Sequence, residues 1–252
     1  MRSAVLAAIA AAVLPFLAPA AAAAQPAPRL ELQFEAGPVW QSYNDVEIPN
    51  DGSATRFSLY DVVGSGPWAS ARLYVTWNVN DRHGVRVLAA PLSITETGVL
   101  AAPVVFVGET YAPGMAEATY TFNSYRLSYR YRFHSGARAT AWVGFTAKLR
   151  DAVIRLEQDG TASEKTDLGF VPLLHLAGDW RVAPRVRLSL DVDALAGGPG
   201  RAEDLALKLG YDVSDRWTVQ AGYRTVEGGA DVDAVYTFAW LHYAVASVTW
   251  RP

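Results

Sequence analysis

Cysteine is absent from the 252 residues, which excludes disulfides, thiolate metal sites and a cysteine nucleophile. Beyond the N-terminus no apolar run approaches the ~20 residues that a membrane-spanning helix needs. Basic residues are not in excess either: 22 Lys and Arg stand against 25 Asp and Glu, a net charge of −3 without a basic tail. Nucleic acid is therefore not an expected partner. Phosphate-loop, HExxH and EF-hand spacings are all missing, so neither a cofactor nor a metal site is expected. Asp45, Glu47 and Asp51 are scattered acids of one polar stretch and read as solvated rather than as calcium ligands.

The N-terminus carries the parts of a Sec signal peptide: Arg2, the apolar residues 5–17, and Ala22-Ala23-Ala24 before Gln25. The expected organisation is a cleaved leader over residues 1–24, a short lead over 25–28, and one domain over 29–252. Hydrophobic residues make up 51% of the chain yet form no long run, so they are interleaved with polar ones. Eight Trp and twelve Tyr add a heavy load of the two side chains that favour a membrane–water interface.

Residues 123–133, NSYRLSYRYRF, show what the interleaving means. At period two, Tyr125, Leu127, Tyr129, Tyr131 and Phe133 point one way, and Ser124, Arg126, Ser128, Arg130 and Arg132 the other. An apolar, aromatic face backed by a charged one suits a transmembrane barrel strand, with lipid outside and polar groups inside. The same alternation recurs over residues 30–43, 68–79, 139–150, 168–181, 185–196, 205–212 and 217–224. Short turns near positions 81, 135, 184 and 215 alternate with polar stretches over 44–55, 158–165, 197–202 and 227–233, which read as outer loops. Residues 56–67 are ambiguous, and 93–116 read as the longest irregular stretch, with 104–107 either a short strand or a hairpin arm. The last strand is undecided: Phe238, Trp240, Val248 and Trp250 suggest an outward face that would carry His242 into lipid and turn Leu241, Tyr243 and Val245 inward. The fold class is all-β: an antiparallel transmembrane barrel of ten strands, with eight to twelve as the range.

On this pattern the chain resembles the small bacterial outer-membrane β-barrel proteins, the group holding OmpA, OmpW and the lipid-A-modifying barrels, over residues 29–252. The resemblance implies a cell outer-membrane location in a Gram-negative envelope, with membrane lipid and the barrel insertion machinery as partners. Trp250 and Val248 resemble the aromatic tail that such machinery reads, displaced two residues by Arg251-Pro252. In the enzymatic barrels of this group a Ser follows two residues after the His. His175, His242, His83 and His134 are followed there by Ala177, Ala244, Val85 and Gly136, so that motif is not carried over. Nor are the Asp–Asp and Asp–His pairs of omptin-type proteases matched.

Folding each hairpin about its turn places Arg126 beside Gly144 and Thr146, Lys148 beside His175, His175 beside Asp191 and Asp193, and Lys208 next to Arg224. The expected lumen is a belt of charge from Arg126, Arg130, Lys148, Arg150, His175, Asp191, Asp193, Lys208 and Arg224, with Glu31 and Glu35 among its acids. It reads first as a paired network filling the interior, and alternatively as a site or passage for a small anionic solute. A non-enzymatic envelope role is expected. The alternative is a lipid-A or phospholipid modifying enzyme using His175 as base, Asp191 or Asp193 as its orienting acid and Ser189 as nucleophile.

Overall fold

The computed structural model describes residues 28–252, and the expected signal peptide lies outside the described residues. The chain begins with β1 (Leu30–Glu47), β2 (Phe57–Ser58), a five-residue helix α1 (Leu59–Val63), β3 (Trp68–Asn78) and β4 (His83–Ala90). It continues through β5 (Ser93–Leu100), β6 (Val104–Phe106), β7 (Glu109–Tyr111), β8 (Gly114–Ser135) and β9 (Ala139–Gln158). The last five strands are β10 (Thr161–Ala183), β11 (Val186–Gly197), β12 (Gly200–Asp212), β13 (Trp217–Val232) and β14 (Val235–Trp250). Ten of these form a ring in the order β1, β3, β4, β8, β9, β10, β11, β12, β13, β14, all antiparallel. The ring closes where β14 pairs with β1, from Leu32 opposite Trp250 to Glu47 opposite Tyr236.

Alternation explains which face each side chain takes. Phe145, Leu168 and Phe170 on the outer wall are 66%, 70% and 68% exposed, and Phe34, Leu73, Trp77, Leu127 and Leu209 are half exposed or more. In water such a continuous apolar wall would drive association. Facing hydrocarbon it is what the solvent demands, and closure leaves no strand edge along the ring's paired length. The chain therefore spans a membrane as a β-barrel, the architecture of the bacterial outer membrane.

The outer connections differ from expectation in one consistent way: strands run on where polar loops were expected. Residues 158–165 contain only a two-residue turn, Asp159-Gly160, both at positive φ (50° and 83°), as a tight hairpin of this kind requires. Likewise Gly197 pairs with Gly200, and Val232 with Val235. These strand ends stand above the lipid level, so water wets both faces and the apolar–polar alternation that marks a strand disappears there. Residues 93–116 are also more regular than expected. β5 continues the edge of β8 beyond β4, from Ser93 opposite Thr121 to Leu100 opposite Gly114, while β6 and β7 form a small hairpin that makes residues 104–106 a hairpin arm. Residues 56–67 add no strand to the ring, which leaves the count at ten.

Inside the outer half of the barrel the lining is apolar. Val39, Val46, Leu59, Val62, Ile94, Phe106, Tyr111, Leu156 and Leu241 form one buried cluster with Tyr243 and Val245. This resolves the last strand: Leu241, Tyr243 and Val245 point in because α1 and the β6–β7 hairpin bring apolar side chains to meet them. His242 does sit on the outer wall, where Ser42 Oγ lies 2.7 Å from Nε2 and Tyr223 Oη 2.5 Å from Nδ1. Two flanking hydroxyls satisfy the ring, at a height where aromatic side chains are common.

Helix α1 lies so close to β5 that a Cβ on Gly98 would collide with the carbonyl of Val62. A Gly98→Leu replacement is expected to push α1 out of the apolar cluster and cost about 1–3 kcal/mol, the usual penalty of overpacking. Urea unfolding in detergent micelles, with limited proteolysis of residues 56–67, measures both effects. Unchanged stability and unchanged cleavage would show that α1 does not depend on this contact.

Candidate functional site

Below the apolar cluster the bore is lined by charge. Alternation aims Glu35 of β1, Arg72 and Tyr74 of β3, Arg86 of β4, Arg126 of β8 and Lys148 of β9 inward. His175 of β10, Asp191 and Asp193 of β11, Asp204 and Lys208 of β12, and Arg224 of β13 face them. All are buried apart from Asp191, whose side chain is 19% exposed.

The contacts form a connected set. Arg126 donates to Asp193 at 2.8 Å and to Asp204 at 2.7 Å, and Arg72 donates to Asp204 at 2.8 Å. Arg86 grips Asp191 through both terminal nitrogens, at 2.5 and 3.0 Å. Arg224 donates to Glu35 at 2.9 Å, to the Tyr74 hydroxyl at 2.9 Å and to Asp204. Lys208 donates to Glu35 at 2.8 Å. Arg72 with Asp204, Arg86 with Asp191, and Arg126 with Asp204 each join strands four places apart in a ring of ten, so these bonds cross the bore. Five cations, Arg72, Arg86, Arg126, Lys208 and Arg224, share four carboxylates, those of Glu35, Asp191, Asp193 and Asp204. Among the described residues Lys148 has no carboxylate within ion-pair distance, and it packs 4.5 Å from the Phe122 ring centre.

The residues expected in one belt thus separate. Arg126, His175, Asp191, Asp193, Lys208 and Arg224 lie in or against the connected set, and Lys148 borders it. Arg130 stacks 4.7 Å over the Trp142 ring instead, and Arg150 pairs with Asp167 on the neighbouring strand. Glu31 is held by Arg251 at 3.0 Å near the end of the last strand. Neighbour estimates from hairpin folding need correction at turns on both ends of the barrel: a bulge between Arg132 and His134 shifts β9 against β8, and the β9–β10 connection is only two residues long. Arg126 stands opposite Lys148, His175 opposite Gly144 rather than beside Lys148, and Lys208 opposite Gly222 rather than Arg224. His175 does face Asp193. Sequence reasoning omitted Arg72, Arg86 and Asp204 from the site although all three have inward parity. Strand folding reports only adjacent strands, and these residues meet their partners across the barrel.

The three candidate catalytic residues are not gathered. His175 Nδ1 lies 2.8 Å from Asp193 Oδ1, which also accepts from the Thr146 hydroxyl at 2.8 Å. Asp191 is taken by Arg86. Ser189 stands opposite Asp179, donates to it at 2.5 Å, and accepts from Gln220 at 2.9 Å. It sits four residues from Asp193 on the same strand, about 13 Å along it at ~3.3 Å per residue. Among the described residues no hydrogen bond joins Ser189 to His175, whose Nε2 is buried without a partner. Ligand atoms of His175, Asp191 and Asp193 lie within 4.8 Å of one another. A divalent cation there would have to displace Arg86 and Arg126 from the carboxylates, so the donor set does not fit one. Outside the barrel, Glu47 pairs with Arg56 at 2.8 Å, and Asp51 accepts from Ser53, whose hydroxyl and amide hold its carboxyl below the usual carboxylate range. The acids considered for calcium do not converge.

No family model and no curated protein matches the sequence. Among solved structures, the outer membrane protease OmpT from Escherichia coli is similar over 90% of this chain and 98% of its own, with a TM-score of 0.51 and 10% identity. The Neisserial surface protein A is similar over 90% and 99%, with a TM-score of 0.41 and 13% identity. The first likeness establishes a shared barrel fold and no more, and the second is too loose to carry an argument.

Asp204 receives three guanidinium groups, so removing its carboxylate leaves Arg72 without an acid and takes one of two from each of Arg126 and Arg224. Asp204→Ala is expected to lower stability by about 3–5 kcal/mol, as for other broken buried pairs. Arg201→Ala, which removes a rim pair to Glu227, is expected to cost at most about 1 kcal/mol because that arginine is 41% exposed. Urea titration of the folded barrel in detergent compares the two, and equal effects would show that the bore network is not structural.

Proposed function

We propose that this chain is a closed outer-membrane barrel with a non-enzymatic role in the envelope, not a diffusion channel. Residues 1–24 serve as its cleaved leader, and the barrel insertion machinery receives the mature chain. The observation that carries this reading is the set of ion pairs joining strands four apart, which lay guanidinium groups across the bore instead of along its wall. The apolar cluster under α1 and the β6–β7 hairpin supports it, since a solute would have to displace packed side chains before reaching the charged belt. A water-filled channel wants charge at its wall and free space at its axis, and this bore has the reverse arrangement.

The lipid-A or phospholipid modifying alternative has less support, because Ser189 is committed to Asp179 and Gln220 while His175 is enclosed beside Asp193. The likeness to a protease is one of fold, and fold alone does not transfer an activity.

Purified protein in planar lipid bilayers is expected to give no large, steady conductance steps. Replacing Arg72, Arg126 and Asp204 together by Ala should remove the ties across the bore and produce fluctuating current. Steady, large steps from the unaltered protein would overturn the closed reading.

A further inference from the structure

The end of the barrel with the short β8–β9 and β10–β11 turns is the periplasmic one. There the mouth of the bore holds a cavity of about 190 Å³, lined among others by Ser135, Arg138, Thr140, Asp179, Arg181 and Arg187. One water molecule needs only ~10–15 Å³ of such space. The cavity therefore has room for a solute.

Its cations are placed against each other. Arg181 of β10 stands directly opposite Arg187 of β11, and like charges so placed repel. Arg138, in the β8–β9 turn, is fixed beside them because its carbonyl accepts from the Arg181 N–H at 2.7 Å. Across β12, a Cβ on Gly210 would meet Arg187 Cγ at 2.9 Å, so glycine leaves the arginine stem its place. Deeper in the bore, Arg72, Arg86, Arg126 and Arg224 each have a carboxylate within 2.9 Å. The mouth lacks that balance. Asp179 takes the Ser189 hydroxyl at 2.5 Å, and Asp212 takes one terminal nitrogen of Arg187 at 2.6 Å. Arg187 Nε is buried without a partner. Among the described residues, neither Arg138 nor Arg181 has a side-chain hydrogen bond or ion pair.

We propose that this cavity binds a small, free phosphate-bearing anion from the periplasm, with Arg138, Arg181 and Arg187 as its donors. A phosphate group brings close to two negative charges and three strong acceptor oxygens, which suits guanidinium forks arriving from a turn and two strands. It would also relieve the repulsion between Arg181 and Arg187. The Ser135 and Thr140 hydroxyls on the wall add further donors, and the remaining volume admits a small organic group on the phosphate. Arg181 and Arg187 have inward parity, so a lipid headgroup would have to leave its leaflet and cross the rim. A free solute would not. The site needs no path through the bore and does not rest on the closed reading of the barrel.

The test is isothermal titration calorimetry of the full chain in non-ionic detergent at about 0.15 M chloride, where diffuse attraction is screened beyond ~8 Å. The probes are glycerol 3-phosphate, inorganic phosphate, acetate and short-chain phosphatidylglycerol. Both free phosphates are expected to bind roughly tenfold or more tightly than acetate. Arg138→Gln and Arg181→Gln should each weaken phosphate binding about tenfold. Arg185→Gln removes an exposed arginine that does not line the cavity, and should leave binding unchanged. Thermal unfolding gives a second measure, since phosphate should raise the Tm of the unaltered protein but not that of Arg181→Gln. Unchanged phosphate binding by both Arg138→Gln and Arg181→Gln would overturn the proposal. An equal loss in Arg185→Gln would also do so, because it would reveal diffuse attraction by the rim. Binding of phosphatidylglycerol without either free phosphate would overturn it too, by assigning the arginines to a lipid headgroup.

Discussion

In hydrocarbon a backbone amide has no water to bond, and almost every feature of this chain answers to that constraint. It forces β14 to meet β1, because a ten-stranded sheet left open would present two rows of unpaired donors and acceptors to lipid. It turns the usual burial rule inside out along the wall, so that Phe145, Leu168 and Phe170 are exposed without being liabilities. Above the lipid, where water returns, the same strands continue as polar ribbons.

The bore meets a different constraint. Desolvating an ion costs several kcal/mol, which a partner offsets only with good geometry and further hydrogen bonds. Arginine supplies this better than lysine, because its planar fork spreads donors to two acids at once. Arg126 bridges Asp193 and Asp204, and Arg224 bridges Glu35, Asp204 and the Tyr74 hydroxyl. Where loops return into the barrel the lining changes to Leu59, Phe106 and Leu241, which need no partners. The interior is therefore solved twice, by ion pairing in one half and by apolar packing in the other.

Much of this was legible in the sequence, and the reasons it stopped being legible are local. Alternation over residues 123–133 told outside from inside, because lipid and a charged interior demand opposite chemistry on successive residues. The same test failed over 158–165 and 93–100, where strands leave the membrane and carry no such contrast. It gave a divided answer over 235–250 because the apolar upper bore made the inner face resemble the outer one. For the charged site, parity named the inward residues correctly, but contact needed the curvature of the closed sheet. Arg72 and Asp204 are 132 residues apart and share no hairpin. Nothing in a run of adjacent strands announces that they touch.

That separation along the chain bears on how the barrel is completed. Glu35 waits for Lys208 and Arg224, which follow it by 173 and 189 residues, and Arg126 waits for acids 67 and 78 residues downstream. A barrel lacking its last strands would hold bare arginines and an isolated carboxylate in a half-open bore, at the cost of uncompensated charge in low dielectric. Side chains of the first half are neutralised only when the second half arrives. The belt thus acts as a check on completeness, rewarding the finished ring and penalising each truncated or mispaired assembly on the way to it.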